Sequence, residues 1–354
     1  MTDFIIVGAG LAGLMFAEKA LREGRTFIIF EDESQHSSSV AAGVYNPVSL
    51  KRLSGISDAQ QQLDTMHGYL QSIASRLNQH FDNPTPLLRR FASIEEQNNW
   101  FHACEKPSLN AFLSDRLVSE SFDGIISPFG FGLVKHTGWV NTRKLLADFR
   151  NYLASQQVLI KEAFVHSELV FTPQLVSYRE IDARHIVFAE GFGMSRNPFF
   201  NRLPLNGTKG EVLVIEAPGI RADAIVKADV FLVPLGNYTY RVGATYNWSD
   251  KSSVPTNEGR AELEQKLRQL IDCDFKIISH EAGIRPTTKD RKPLLGTHPH
   301  FPALHLLNGL GTRGVMLGPA MANLLYDHIE SRRQLPREVD INRFGADLLP
   351  ADHS

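Results

Sequence analysis

Cysteine is nearly absent from this chain of 354 residues: Cys104 and Cys273 stand far apart, and neither belongs to a Cys-x-x-Cys pair. That argues against a disulfide framework or a thiolate metal site, and both residues read as reduced core thiols. The thirteen histidines show no His-Glu-x-x-His or similar spacing, so no metal site is expected. No apolar run reaches the eighteen residues that a membrane-spanning helix needs. The chain opens directly on a strand-like apolar run that leaves no room for a secretory leader, and a cytoplasmic location is the simplest expectation. An excess of either charge is also missing, since 37 basic side chains face 39 acidic ones for a net charge of −2. That balance offers no global basic field to nucleic acid, although it leaves room for a local patch.

What the chain does contain is enough apolar material, 43% of its residues, to bury a large core and build two domains. Its most specific segment is the first. An apolar run, Phe4-Ile5-Ile6-Val7, meets Gly8-Ala9-Gly10-Leu11-Ala12-Gly13, and a second run, Phe27-Ile28-Ile29-Phe30, ends in Glu31. Between them lie the helically spaced Leu14, Phe16, Ala17, Ala20 and Leu21 and a turn at Gly24. This is the pattern of a dinucleotide-binding βαβ unit. Gly8 permits the tight turn, Gly10 lets backbone approach a pyrophosphate, and Gly13 lets the helix press on the sheet. The helix that starts near Gly10 then presents free N–H groups and its positive dipole end to phosphates. Glu31, about twenty residues past the glycines, can accept hydrogen bonds from an adenosine ribose and would repel a 2′-phosphate, which disfavours NADP. A nucleotide-free α/β turn is the bland alternative.

Further along, residues 57 to 80 have the apolar spacing of one long helix (Leu63, Met66, Leu70, Ile73, Leu77), and residues 81 to 135 read as short strands and turns. Thr142 to Leu153 reads as a helix with Asn141 as N-cap. Val158 to Ile160 and His185 to Ala189 read as buried strands, the latter stopping at Glu190-Gly191. Glu211 to Ile215, Val230 to Val233 and Tyr240 to Thr245 alternate with turns and suggest an antiparallel sheet. Ala261 to Ile271 reads as a helix, and so does the stretch from Pro319 to about Arg332. The expected architecture is α/β plus antiparallel sheet. A Rossmann-like nucleotide domain (1–80, 136–204 and 281–354) would be interleaved with a smaller substrate domain (81–135 and 205–280).

Taken in order, these segments resemble the FAD-dependent D-amino-acid oxidase superfamily, in particular its glycine oxidase and sarcosine oxidase branch. The likeness runs nearly end to end. It rests on Val7 to Gly13 with Glu31, on Ser37-Ser38-Ser39-Val40-Ala41-Ala42-Gly43, on Val187 to Gly191, and on Leu203-Pro204-Leu205 leading to Lys209-Gly210-Glu211. It continues through Arg241 to Thr245, Gly283-Ile284-Arg285-Pro286 to Asp290 with Pro293 and Gly296, and Asn308 to Pro319.

The resemblance implies FAD contacts at Gly8, Gly10, Leu11, Ala12, Gly13, Glu31, Ser38, Ser39, Ala41, Ala42, Gly43, Val165, Ala189 and Gly191. A second group would be Gly309, Gly311, Thr312, Arg313, Gly314, Val315 and Met316. Physical sense supports parts of this. Ala41, Ala42 and Gly43 are small enough for backbone to lie against a flat ring, although alone they read as a loop. The free N–H groups of a helix entering at Thr312 to Met316 would face negative charge developing on a reduced flavin, unless the segment is only a glycine-rich helix entry.

Arg285 is assigned by the resemblance to a substrate carboxylate, which suits a planar guanidinium; the alternative is a surface or ion-pair arginine. Tyr246 matches a position near the substrate, or else is a core strand aromatic. Lys51, Lys209 and Lys289 could supply charge for oxygen reduction, but solvated lysines are the plainer reading.

Departures from the family narrow the expectation. Covalently flavinylated relatives carry a histidine before Ala-Ala-Gly or a cysteine near the last glycine motif, whereas Val40 stands here and no cysteine follows Cys273. Noncovalent FAD is therefore expected. Gly311-Thr312-Arg313-Gly314 is similar instead to the oxidase domain of a bacterial tRNA modification enzyme that removes a carboxymethyl group from a wobble uridine. The expected activity is oxidation of the C–N bond of a small carboxylated amine, with oxygen or another electron acceptor. The tRNA reaction and a non-catalytic flavin-binding module are the rivals.

Overall fold

The computed structural model describes residues 1–172, 175–345 and 348–349. The opening strand, Thr2–Val7, pairs in parallel with Phe27–Phe30 on one side and Ile181–Phe188 on the other. Leu159–Ile160 and Leu304–Asn308 extend this parallel sheet at either end. Such strands are covered on both faces, which is why their sequences are almost unbroken apolar runs. One face packs against helices Leu11–Arg22, Ala59–Leu77, Thr142–Ser155 and Gly314–Ser331. The opposite face meets an aromatic cluster that includes Phe188, Phe199 and Phe200. The carboxyl ends of the parallel strands, at Val7, Phe30, Phe188 and Asn308, define one rim of a crevice, the place where open α/β sheets bind ligands.

A second sheet crosses that rim. Its strands run in the order Lys276–Arg285, Thr208–Glu216, Thr239–Gly243, Phe231–Gly236, Ile225–Lys227, Leu87–Arg90, Phe131–Val134, Leu113–Val118. All neighbours are antiparallel except Ile225–Lys227 beside Leu87–Arg90. Lys276–Arg285 belongs to this sheet throughout, so the expected division at 281 falls inside a strand. No helix among the described residues is long and apolar enough to cross a membrane.

Local signals account for most elements and for the departures. The expected long helix is Ala59–Leu77, and Thr142–Ser155 is capped as its sequence suggests, the Lys144 N–H donating to Asn141 Oδ1 at 3.1 Å. Helix Asn257–Arg268 begins four residues before the predicted Ala261, at the N-cap Thr256. Residues 81–135 are not strands and turns alone, since they include helix Ile94–Cys104. Only Trp100 and Ala103 of that helix are buried, too few for a clear apolar period. Its start is nonetheless written locally, because the Glu96 N–H donates to Ser93 Oγ and the Glu96 carboxylate accepts from Ala92 N–H. The last helix starts at Gly314, one turn before Pro319. A proline there removes only the bond to the Val315 carbonyl, and so lies inside the helix rather than opening it. Cys104 and Cys273 are free, as expected, but half-buried rather than in the core.

Candidate cofactor and substrate site

The glycine turn is built by close contacts. Gly8 has φ +98°, and a Cβ there would stand 2.7 Å from the Ala189 carbonyl oxygen. A Cβ at Gly13 would stand 1.8 Å from the Gly8 oxygen, so the helix lies directly on the turn. That helix has Gly10 as its N-cap without a side-chain cap, and its Leu11 N–H donates to Ser38 Oγ at 3.1 Å. The short helix Ser37–Val40 thereby ties the small-residue segment to the glycine turn.

Glu31 is buried at the end of the second strand. Its Oε2 accepts from Ala9 N–H at 2.5 Å and from Arg150 at 3.3 Å, and its Oε1 accepts from Glu33 N–H at 2.8 Å. A carboxylate offers about four acceptor sites, which leaves one toward the crevice. Arg150 also donates to the Ala9 carbonyl at 2.9 Å, so it clamps turn and acid together. No sequence signal marked Arg150, which is 119 residues away from Glu31 along the chain.

A cavity of about 1650 Å³ runs from this turn to the second sheet. At its nucleotide end lie Gly8, Gly10, Leu11, Ala12, Glu31, Ser38, Ala189 and Gly191. Ala41, Ala42 and Gly43 line the middle, the Ala41 carbonyl being held by the buried Arg241 at 2.9 Å. Gly309, Gly311, Thr312, Arg313, Gly314, Val315 and Met316 line it as well. Three of the expected FAD contacts stand outside the lining. Gly13 packs beneath the turn, Ser39 donates its hydroxyl to the His36 carbonyl at 3.0 Å, and the Val165 N–H donates to the Tyr178 hydroxyl at 3.1 Å. The neighbours of Val165, Phe164 and His166, do line the cavity.

The last helix makes its first internal bond from Leu317 N–H to the Arg313 carbonyl, at 2.9 Å. The N–H groups of Gly314, Val315 and Met316 therefore have no helical partner at the cavity wall. This donor set, with the glycine turn and the free acceptor on Glu31, fits the anionic and ribose parts of FAD.

At the far end, Arg285 lies flat over Gly210, where a Cβ would stand 2.0 Å from Nη2. Its Nη1–H donates to the Thr245 carbonyl at 3.2 Å, and its Cζ is 4.6 Å from the centre of the Tyr246 ring. No carboxylate pairs with it among the described residues. Burial lowers its pKa, but an arginine stays charged through such a shift. An arginine held this way is not the ion-pair residue that its sequence context alone would suggest. Tyr246 is 61% exposed on the rim, not a core aromatic. Arg313 is a second lining cation whose pKa is lowered by burial alone.

The lysines divide. Lys51 is exposed at the cavity and Lys289 is exposed outside its lining. Lys209, read as solvated, is instead fully buried, donating to Asp250 and the Val254 carbonyl at 2.5 Å each and to Ser252 at 3.3 Å. It fastens the loop that carries Tyr246 and Trp248.

The chain is 22% identical over 354 residues to the tRNA 5-methylaminomethyl-2-thiouridine biosynthesis bifunctional protein of Marinobacter nauticus, covering 92% of this chain and 55% of that protein. It thus spans about half the length of that relative. It is 23% identical to the glycine oxidase of Pseudomonas aeruginosa, with 94% of this chain and 95% of the relative covered. The crystal structure of glycine oxidase from Geobacillus kaustophilus superposes with a TM-score of 0.75 at 20% identity, covering 99% of both chains. Since the model of the FAD dependent oxidoreductase (DAO) family matches residues 3–328, the chain belongs to that family and FAD is its cofactor.

Proposed function

We propose that this protein oxidises the C–N bond of a free amino acid or N-substituted glycine. The observation that carries the reading is Arg285, a half-buried guanidinium with no acidic partner among the described residues, fixed by Thr245 and Tyr246 at the substrate end of the cavity. A substrate carboxylate on its free donors sets the α-carbon at a constant distance and angle, which removes most of the orientational cost of reaction. Bound FAD supplies the acceptor for two electrons and a proton, delivered as hydride from the carbon next to nitrogen. The nitrogen lone pair closes the C=N bond as hydride leaves, and water then splits the imine to a carbonyl compound and an amine. An amine bound in neutral form needs no strong side-chain base. Glu96, an acid of the cavity lining, is paired with Arg89 at 3.1 Å, which suits it to structure rather than proton transfer. Reoxidation by oxygen or by another acceptor follows, and a cytoplasmic location agrees with this chemistry.

A second reading, removal of a carboxymethyl group from a modified tRNA uridine, draws on the likeness to the tRNA biosynthesis protein and on the exposed rim aromatics Tyr246 and Trp248, which could stack on bases. The test is an anaerobic screen of amino acids and N-alkyl glycines, followed by flavin bleaching. A small carboxylated amine is expected to bleach the flavin unaided by tRNA. Bleaching only by tRNA bearing carboxymethylaminomethyl-uridine would overturn the free-amine reading.

A further inference from the structure

The floor of the cavity carries a second basic station that the chemistry above leaves unused. Val212, Gly243, Phe231, Lys227 and Arg89 pair in one row across adjacent strands of the antiparallel sheet, and all five line the cavity. The Arg285 guanidinium covers Gly210, two residues from Val212 on the same strand. Lys227 is three strands away, roughly 14 Å at about 4.8 Å per strand. Its ammonium folds back over the Phe231 ring, 4.8 Å from the centre, which brings the gap between the two cations to the order of 10 Å. The floor between them is apolar, made by Val212, Gly243 and Phe231.

Lys227 has no carboxylate within ion-pair distance among the described residues. Its Nζ donates only to the carbonyls of Ala228, at 2.5 Å, and Asp229, at 3.3 Å. Arg89 beside it is satisfied by Glu96 and by the Ala228 carbonyl. Burial first, and then the Arg89 charge, pull the Lys227 ammonium down to a pKa of about 8, against the opposing pull of the Asp229 carboxylate. Glu96 answers Arg89, and the Asp229 carboxylate acts on Lys227 only from beyond ion-pair distance, so the ammonium has no acid seated on it among the described residues.

We propose that Lys227, backed by Arg89, is a distal anion subsite, and that the preferred substrate is an N-substituted amino acid whose substituent ends in a second carboxylate. The proposal rests on the amine-oxidation reading and on Arg285 as the first carboxylate site. A singly charged carboxylate suits one ammonium that has acids nearby better than a doubly charged phosphate would, and a flexible chain on the amine nitrogen would cross the apolar floor.

The probes are N-(5-carboxypentyl)glycine and N-hexylglycine, which differ at the chain end, applied anaerobically to the FAD-loaded protein. The dicarboxylate should half-saturate flavin reduction at a concentration at least tenfold lower. Lys227→Met should bring that ratio below about threefold, and Lys227→Arg should keep it. Equal half-saturation in the native protein, or a preference untouched by Lys227→Met, would sink the idea. Suberate and octanoate decide it without turnover: the melting temperature of the native holoprotein should rise more with suberate, and an equal rise refutes the subsite. If no amine bleaches the flavin while suberate still stabilises, the oxidation reading fails and the anion subsite stands.

Discussion

Replacing Arg285 by lysine tests the proposed substrate contact with the smallest change of charge. The guanidinium has five N–H donors in a fixed plane, and one is taken by the Thr245 carbonyl at 3.2 Å. With Gly210 beneath it and Tyr246 against it, the plane cannot turn away, so the remaining fork is held ready for two parallel bonds to a carboxylate. A lysine keeps the charge but gathers its three donors on one atom, and one of the two parallel bonds is lost. A hydrogen bond to a charged group is worth about 1.5–3 kcal/mol, and 1.36 kcal/mol is tenfold in a dissociation constant. Arg285→Lys should therefore raise the half-saturating concentration of the best amine by about ten- to a hundredfold while FAD stays bound. Anaerobic stopped-flow of flavin absorbance against amine concentration measures the first quantity, and flavin retained after gel filtration the second. An unchanged concentration dependence would show that Arg285 does not hold the carboxylate.

Two further outcomes concern the cofactor and the core. Glu31→Gln keeps the shape of the side chain but leaves Arg150 without its partner and weakens the ribose acceptor, so FAD should dissociate at a concentration about tenfold higher, read by the fluorescence of released flavin. Equal retention would show that Glu31 serves only the turn. A chain of contacts of 2.9–3.1 Å links the half-buried His185, Thr297 and His328 through the buried His305. Burial holds His185 at a pKa of about 4 and His305 well below its ordinary value. Between pH 6.5 and 4 the unfolded chain binds protons that the folded His185 refuses. Stability is then complete above pH 6.5 and falls toward pH 4, by up to about 3 kcal/mol from this residue. Urea midpoints at stepped pH should show the fall, and His185→Gln should flatten it; an identical slope in the variant would assign the acid sensitivity elsewhere.

Much of the fold was legible because its signals are local. The glycines of the first turn, the apolar strands on either side and the Asn141 cap each act within a few residues, and a parallel strand covered on both faces announces itself by composition alone. Helix Ile94–Cys104 shows the limit, since its capping serine and glutamate are present but its buried face is only two residues wide. Charge is where sequence said least. Lys209 looks like any surface lysine until the fold buries it against Asp250 and Val254, and nothing near Arg150 points to Glu31. That no described carboxylate comes within ion-pair distance of Arg285 or Lys227 is likewise a property of the whole cavity. The sequence by itself determined where most strands and helices form and where the first glycine turn lies, because backbone conformation follows short-range sterics and periodicity. Only the tertiary structure decided which cations are neutralised and which face the cavity bare, because that depends on how the second sheet crosses the rim of the first.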